Sequence, residues 1–304
     1  MTSSASSPLS LAAATAAGAP SPARHRFDPR LYQIAVLGGL LLYGILALDF
    51  EVGIAQVAVL LATALLTQYA GTRLGRLAAF DPRSALISAL SLCLLVRTNS
   101  LAWAAAAAVV TIGSKFVLRA GGKHVWNPTN FGIVTLMVAT GRVWVSPGQW
   151  GNAAFFGFLL ACLGGLVVNR ATRADVTYAF LASYLALVFG RALWLGQPAA
   201  IPLHQLASGA FLLFTFFMIS DPKTTPDSRP GRILFAVLVA GIAGFITFVL
   251  YRPNGLLLAL ALAAPLVPLL DRLLPGRRYG WPGRSQPQHR RAPRELAPSM
   301  TAAA

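Results

Sequence analysis

Two polar stretches interrupt an otherwise apolar chain: "GGKHVWNPTNFG" at 121–132 and "FFMISDPKTTPDSRPGR" at 216–232. In the first, Gly121 and Gly122 permit a tight turn. Asn127 followed by Pro128 has the form of a helix cap and first helical residue. The asparagine side chain can accept from the backbone N–H of Asn130, and proline gives up a donor that would have no partner there. A helix start carries partial positive charge and free N–H groups. With Lys123 and His124 beside it, it could hold a phosphate, a flavin carbonyl or an acidic partner. The same residues could equally form a plain cap with Lys and His turned to the lipid headgroups.

In the second stretch, Asp221-Pro222 and Thr225-Pro226 force turns. The hydroxyls of Ser220, Thr224 and Thr225, with Asp221 and Lys223, set donors and acceptors against the end of an apolar run. That is what a lined cavity needs, although an ordinary loop could also carry them.

Other chemistry finds no residues. No nucleophilic triad, phosphate loop, GxGxxG or metal-ligand spacing is present, so hydrolase and ATPase classes are excluded and neither catalytic residues nor a metal site is expected. Cys93 and Cys162 each sit inside an apolar run, which fits buried thiols rather than a disulfide or zinc framework. None of the nine acidic residues lies in the middle of a hydrophobic segment; Asp49, Glu51, Asp81 and Asp175 are all at ends. Ion carriers keep an ionisable group at depth, so the chain alone is a poor carboxylate-based pump. Arg97 needs an anion or a carbonyl cluster if its segment ends within the membrane; otherwise it snorkels to the outer surface.

The elements that position these residues are membrane helices. Of 304 residues 56% are hydrophobic and 11% charged, under half the charge of a soluble domain at about 25%. We count ten hydrophobic segments, near 31–48, 52–70, 84–96, 101–118, 128–140, 152–169, 174–195, 205–219, 232–251 and 255–272. An even count puts both ends on one side. Arg73, Arg76 and Arg83, then Arg119 and Lys123, then Arg170 and Arg173, then Lys223, Arg229 and Arg232 fall in the loops of that side. The positive-inside rule therefore predicts a multi-pass inner (cytoplasmic) membrane protein, N-in/C-in. Trp144, Trp150 and Trp194 fall near the outer ends, as interfacial aromatics do.

The net charge of +16 follows this topology and does not point to nucleic acid. Residues 1–30 read as a disordered cytoplasmic tail without the basic start of a signal peptide. Residues 31–272 form the membrane domain, and 273–304 a basic cytoplasmic tail able to touch anionic headgroups. The third and eighth segments are short for spanning and occupy matching places in two five-segment halves, 31–140 and 152–272. An odd number of crossings inverts the second half, and short segments at matching places point to a central binding site; ordinary short helices would also fit.

The combination of "SALISALSLCLLV", "GGKHVWNPTNFGIV" and "SDPKTTP…GR" resembles the RnfD/NqrB family. Its members are membrane subunits of the Rnf electron transport complex and of the sodium-translocating NADH:quinone oxidoreductase. The resemblance implies an all-α fold of about ten transmembrane helices in two inverted five-helix repeats, similar to urea transporters. It implies a non-autonomous subunit that binds a flavin or quinone and relays electrons across the membrane, coupled to ion transport, beside other membrane and redox subunits in the lipid bilayer. Lys123, Asn127, Pro128 and Asn130, with Ser220, Asp221, Pro222 and Thr224, are the residues it implies for the cofactor site. Many family members carry FMN on a threonine of an S-G-A-T-type motif in the outer loop after the "NPA" helix. Here that loop, "GRVWVSPGQWG", has no threonine. Covalent FMN is therefore not expected, and FMN or riboflavin held non-covalently, or a quinone, takes its place. The rival from another class is a small-solute channel or transporter of the same fold without redox chemistry; a third is a structural anchor for other subunits.

Overall fold

The computed structural model describes residues 28–48, 50, 52–75, 80–146, 152–168 and 174–279. Residues 1–27 and 280–304 of the two tails, with Asp49, Glu51, Arg76, Trp150, Arg170 and Arg173, lie outside the described residues.

Helices start where the sequence supplies a cap. Helix α1 (Pro29–Ala47) follows Asp28, α3 (Pro82–Leu95) follows Asp81, and α5 (Pro128–Thr140) follows Asn127. In each, the cap side chain accepts a backbone N–H of the first turn and a proline occupies the first helical position. Ser228 caps α10 (Arg229–Phe248) by accepting the Gly231 N–H, with Pro230 at the second helical position. Between these lie α2 (Ile54–Leu74), α4 (Leu101–Val117), α6 (Asn152–Val168), α7 (Ala174–Trp194), α8 (Ala200–Leu206) and α9 (Gly209–Leu213). Helix α9 runs on as a π-helical turn, Phe214–Met218. Helix α11 (Gly255–Ala263) continues through a 3-10 turn into α12 (Val267–Leu273).

Among the described residues, five stretches are long and apolar enough to cross a membrane: α1, α2, α7, α10 and α11 with α12. The pair of α8 and α9, bent by 59°, makes a sixth if it is one span. Helices α3, α4 and α5 are apolar but shorter. The chain is a mostly helical, multi-pass membrane protein.

Small residues let the helices approach. Ala85, Ala89, Ala104, Ala107 and Ala108 are fully buried in one half, and Ala236, Ala240 and Ala243 in the other. Between apolar helices in lipid, where burial from water gives little, such close backbone packing supplies the attraction. Helix α5 meets α4 so closely that a Cβ on Gly132 would collide with the Thr111 hydroxyl. Helix α4 packs on α2, and α10 on both α7 and α11. Leu42, Leu46, Leu66, Val138 and Leu262 point outward, as a lipid-facing surface requires.

Two short strand pairs close the ends. Strand β1 (Val96–Arg97), at the end of α3, pairs antiparallel with β4 (Trp144–Val145). Arg97 is buried there, its Nη1 donating to the carbonyls of Cys93 (3.2 Å), Leu94 (3.4 Å) and Val96 (3.0 Å). Of the environments the sequence left open for this arginine, the carbonyl cluster is the one it occupies. Strand β2 (Arg119–Ala120) pairs with β3 (Lys123–His124). Gly121 (φ +56°) and Gly122 (φ +84°) form the connecting turn in the left-handed conformation that side chains resist.

Candidate functional site

Where helices α1, α3 and α5 begin and the π turn ends, the chain lines a partly open cavity of about 90 Å³ with many polar side chains in its walls. Helix α3 offers Ser84, Ser88 and Ser91, spaced to share one helical face. Helix α4 offers Lys115, the hairpin His124, and the start of α5 Asn127, Pro128 and Thr129. The opposite wall is Phe217 and Met218 of the π turn with Ser220 to Lys223. A π turn shifts the hydrogen-bond ladder and re-aims the residues after it, which is why such turns gather at functional sites.

Asn127 holds the two polar stretches together. Its Oδ1 accepts the Asn130 N–H at 3.1 Å, the cap anticipated from sequence. Its Nδ2 donates to Asp221 Oδ2 at 3.3 Å and to the Met218 carbonyl at 3.5 Å. The other carboxylate oxygen of Asp221 accepts the Lys223 N–H at 3.0 Å, and its carbonyl accepts the hydroxyls of Thr224 and Thr225. Burial pushes the Asp221 carboxyl above its usual range, opposed by the Lys223 N–H and charge, the Lys115 ammonium and the Asn127 amide. Asp221 stands between hydrophobic segments in sequence, yet the fold puts it on the wall of the cavity.

Lys115 is the counterpart that sequence reasoning missed. It is buried, and its Nζ donates to the Ser84 carbonyl (2.9 Å) and hydroxyl (3.2 Å), holding the first turn of α3. The signal was a lone lysine in the run 101–118, together with the Ser84, Ser88 and Ser91 stripe. His124 is pushed down to about 3, first by burial and then by the neighbouring charges of Lys223, Arg119 and Lys115. Its buried Nδ1 has no partner. It faces the cavity as a neutral imidazole. Arg30 also lines the cavity while pairing with Asp28 and Asp81, both at 2.7 Å.

Of the eight residues expected to frame the site, Asn127, Pro128, Ser220, Asp221 and Pro222 line the cavity. The other three lie outside its lining. Asn130 is fully buried and braces α5 to α11 through the Leu257 carbonyl at 3.1 Å. Thr224 folds back on Asp221. Lys123 forms a clamp with Asp271 (2.7 Å), Asp227 (3.2 Å) and the Thr225 carbonyl (2.8 Å). These three shape the site from behind.

The fit to a flavin divides by property. The donors present, Lys115, Asn127 and the serine hydroxyls, suit flavin carbonyls or a phosphate. The volume does not suit a flavin: about 90 Å³ holds a few waters or small ions, whereas organic ligand sites begin near ~300 Å³. A flavin ring is not accommodated within this cavity. Among the described residues no group of three His, Cys, Asp or Glu side chains could hold a metal.

Residues 143–280 match the NQR2, RnfD, RnfE family. The resemblance to the RnfD/NqrB family holds. The second polar stretch and the π turn fall inside the matched residues, whereas Asn127 and the α5 start precede them. Similar proteins are named as the D subunit of an ion-translocating oxidoreductase complex. The one from Erwinia tasmaniensis is 36% identical over 137 residues, covering 43% of this chain and 36% of that protein. One from Vibrio vulnificus is 31% identical over 134 residues, with 43% and 36% covered. One from Salmonella paratyphi B is 34% identical over 137 residues, with the same shares. The match thus spans little more than a third of the length of these RnfD relatives.

Proposed function

We propose that this chain is a multi-pass subunit of an RnfD/NqrB-like, redox-driven ion-translocating complex in a bacterial inner membrane, with both ends cytoplasmic. Ten membrane segments in two inverted halves would build it. The packing supports that symmetry: α2 on α4 has its counterpart in α7 on α10, and α4 on α5 in α10 on α11. Helices α1 and α6, and α5 and α11, then meet as like elements across the seam.

The observation that carries the reading is the Asn127–Asp221 hydrogen bond over a polar cavity too small for organic ligands. It joins a capped helix start in one half to the broken segment of the other. The cavity admits water and small ions, the cargo class in the relatives' names. Asn127 fixes the orientation of the Asp221 carboxylate, and Lys115 and Lys223 balance its charge. In this reading the flavin, FMN or riboflavin held non-covalently, or a quinone, sits where this subunit meets its neighbours.

The test is mild-detergent purification of the tagged chain from its native membrane. Redox subunits should co-purify, and the complex should show flavin absorption and reductant-driven ion uptake in liposomes. The chain expressed alone should be colourless. A sole component, colourless even from native membranes, that passes a small solute in liposomes would replace this reading with the solute channel.

A further inference from the structure

A second cavity, of about 230 Å³, lies against the β2–β3 hairpin and α12 and shares only Lys123-neighbouring His124 with the first. Its polar wall carries three cations, Lys123, Arg272 and Arg278, against one carboxylate, Asp271. That carboxylate is already engaged. One oxygen accepts from Lys123 and the other from the Asp227 N–H at 2.7 Å. Lys123 is in turn balanced by Asp227 and Asp271. Against Asp227 and Asp271, the three cations Lys123, Arg272 and Arg278 leave a net positive charge, and among the described residues neither arginine makes an ion pair. The remaining wall, with Val125, Val267 and Pro268, is apolar.

The Gly121–Gly122 turn lies beside one guanidinium. A Cβ on Gly121 would stand 3.4 Å from Arg278 Nη2, and one on Gly122 3.8 Å from Nη1. The turn therefore lies within van der Waals reach of the Arg278 guanidinium. Two guanidinium forks beside an apolar wall match a phosphate oxygen fork joined to an uncharged body. The volume exceeds what a phosphate alone needs. The cavity also sits where the membrane helix continued by α12 stops, and such helix ends lie at the level of lipid headgroups.

We propose that this cavity binds a phosphate-bearing anion through Arg272 and Arg278. A phospholipid headgroup and free phosphate present the same chemistry to it. The site is independent of any redox role, and its ligand serves to fasten the hairpin carrying Lys123 and His124 to α12.

The experiment uses the full chain in phosphatidylcholine nanodiscs, with phosphatidylglycerol added in one arm and inorganic phosphate in the other. Bound lipid is read by native mass spectrometry and thermal stability by melting. Phosphatidylglycerol should bind and raise the melting temperature, with Arg272→Gln and Arg278→Gln each weakening it about tenfold. Stabilisation by inorganic phosphate alone, abolished by the same substitutions, identifies a soluble source and upholds the site. If Arg272→Gln fails to fold, Arg278→Gln, an exposed position beyond the helix, carries the test. Unchanged binding of both probes in the arginine variants overturns the proposal, as does the absence of any effect of either probe on the wild-type chain.

Discussion

The amide nitrogen of Asn127 donates to the carboxylate of Asp221 at 3.3 Å while its oxygen caps the helix that begins one residue later. One side chain thus terminates a helix and orients a buried acid from a segment 94 residues away. Asn127→Ala should therefore cost more than a cap. Losing the cap costs about 1 kcal/mol, and losing a hydrogen bond to a carboxylate costs about 1.5–3 kcal/mol. We expect a combined loss of about 2–4 kcal/mol in detergent unfolding. Asp221→Asn keeps an acceptor and should cost less. A double-mutant cycle should give a clear coupling energy; strictly additive losses would mean the contact contributes nothing.

His124 predicts an acid sensitivity. Its folded value is depressed to about 3 from 6.5, so below pH 6.5 the unfolded chain takes up a proton that the folded chain refuses. Its contribution is fully present above about pH 6.5 and declines as pH falls toward about 3, by up to about 1.4 kcal/mol per pH unit. Melting temperatures of wild type and His124→Gln should diverge over that window, with the variant less acid-sensitive. Asp221 works in the opposite direction, since its raised value lets the folded state bind a proton first and gain stability on acidification. Asp221→Asn should steepen the acid loss.

The parts of the site legible in the sequence were the local ones. The Asn127–Pro128 cap and the Asp221-Pro222 turn follow from adjacent residue types, whose geometry the chain decides within a few residues. Lys115 was hidden because a lone lysine near the end of an apolar run reads as one that snorkels; only the tertiary placement of Ser84 turns it inward. The π turn at Phe214–Met218 changes hydrogen-bond register without changing composition, so nothing in the letters marks it. Lys123 was expected at the site because its partner Asp271, 148 residues on, is visible only in the fold.

Ser88 and Ser91 are mostly buried yet line the cavity, so a cysteine at either should be reached only through it. The native Cys93 and Cys162 are buried in the apolar core and give a silent background. A small membrane-impermeant thiol reagent added to the cytoplasmic face should label Ser88→Cys and Ser91→Cys, and the same reagent from the outer face should not. Labelling from outside would reverse the topology argued from the basic loops, and labelling from neither side would show a cavity closed to both.

The Lys123 clamp gives the last prediction. Its ammonium sits between Asp227 and Asp271, whose side chains are 7% and 20% exposed, and it also donates to the Thr225 carbonyl. Replacing it with methionine removes the cation that stands between these two carboxylates. Removing one partner of a fully buried pair costs about 3–5 kcal/mol; with this degree of exposure we expect about 2–3 kcal/mol. Lys123→Arg keeps the charge and should recover most of it. Because the clamp ties β3 to the loop after Asp221, Lys123→Met should also loosen the cavity wall, seen as faster thiol labelling at Ser91→Cys. Stability lost without any change in labelling would confine the clamp to a structural tie remote from the cavity.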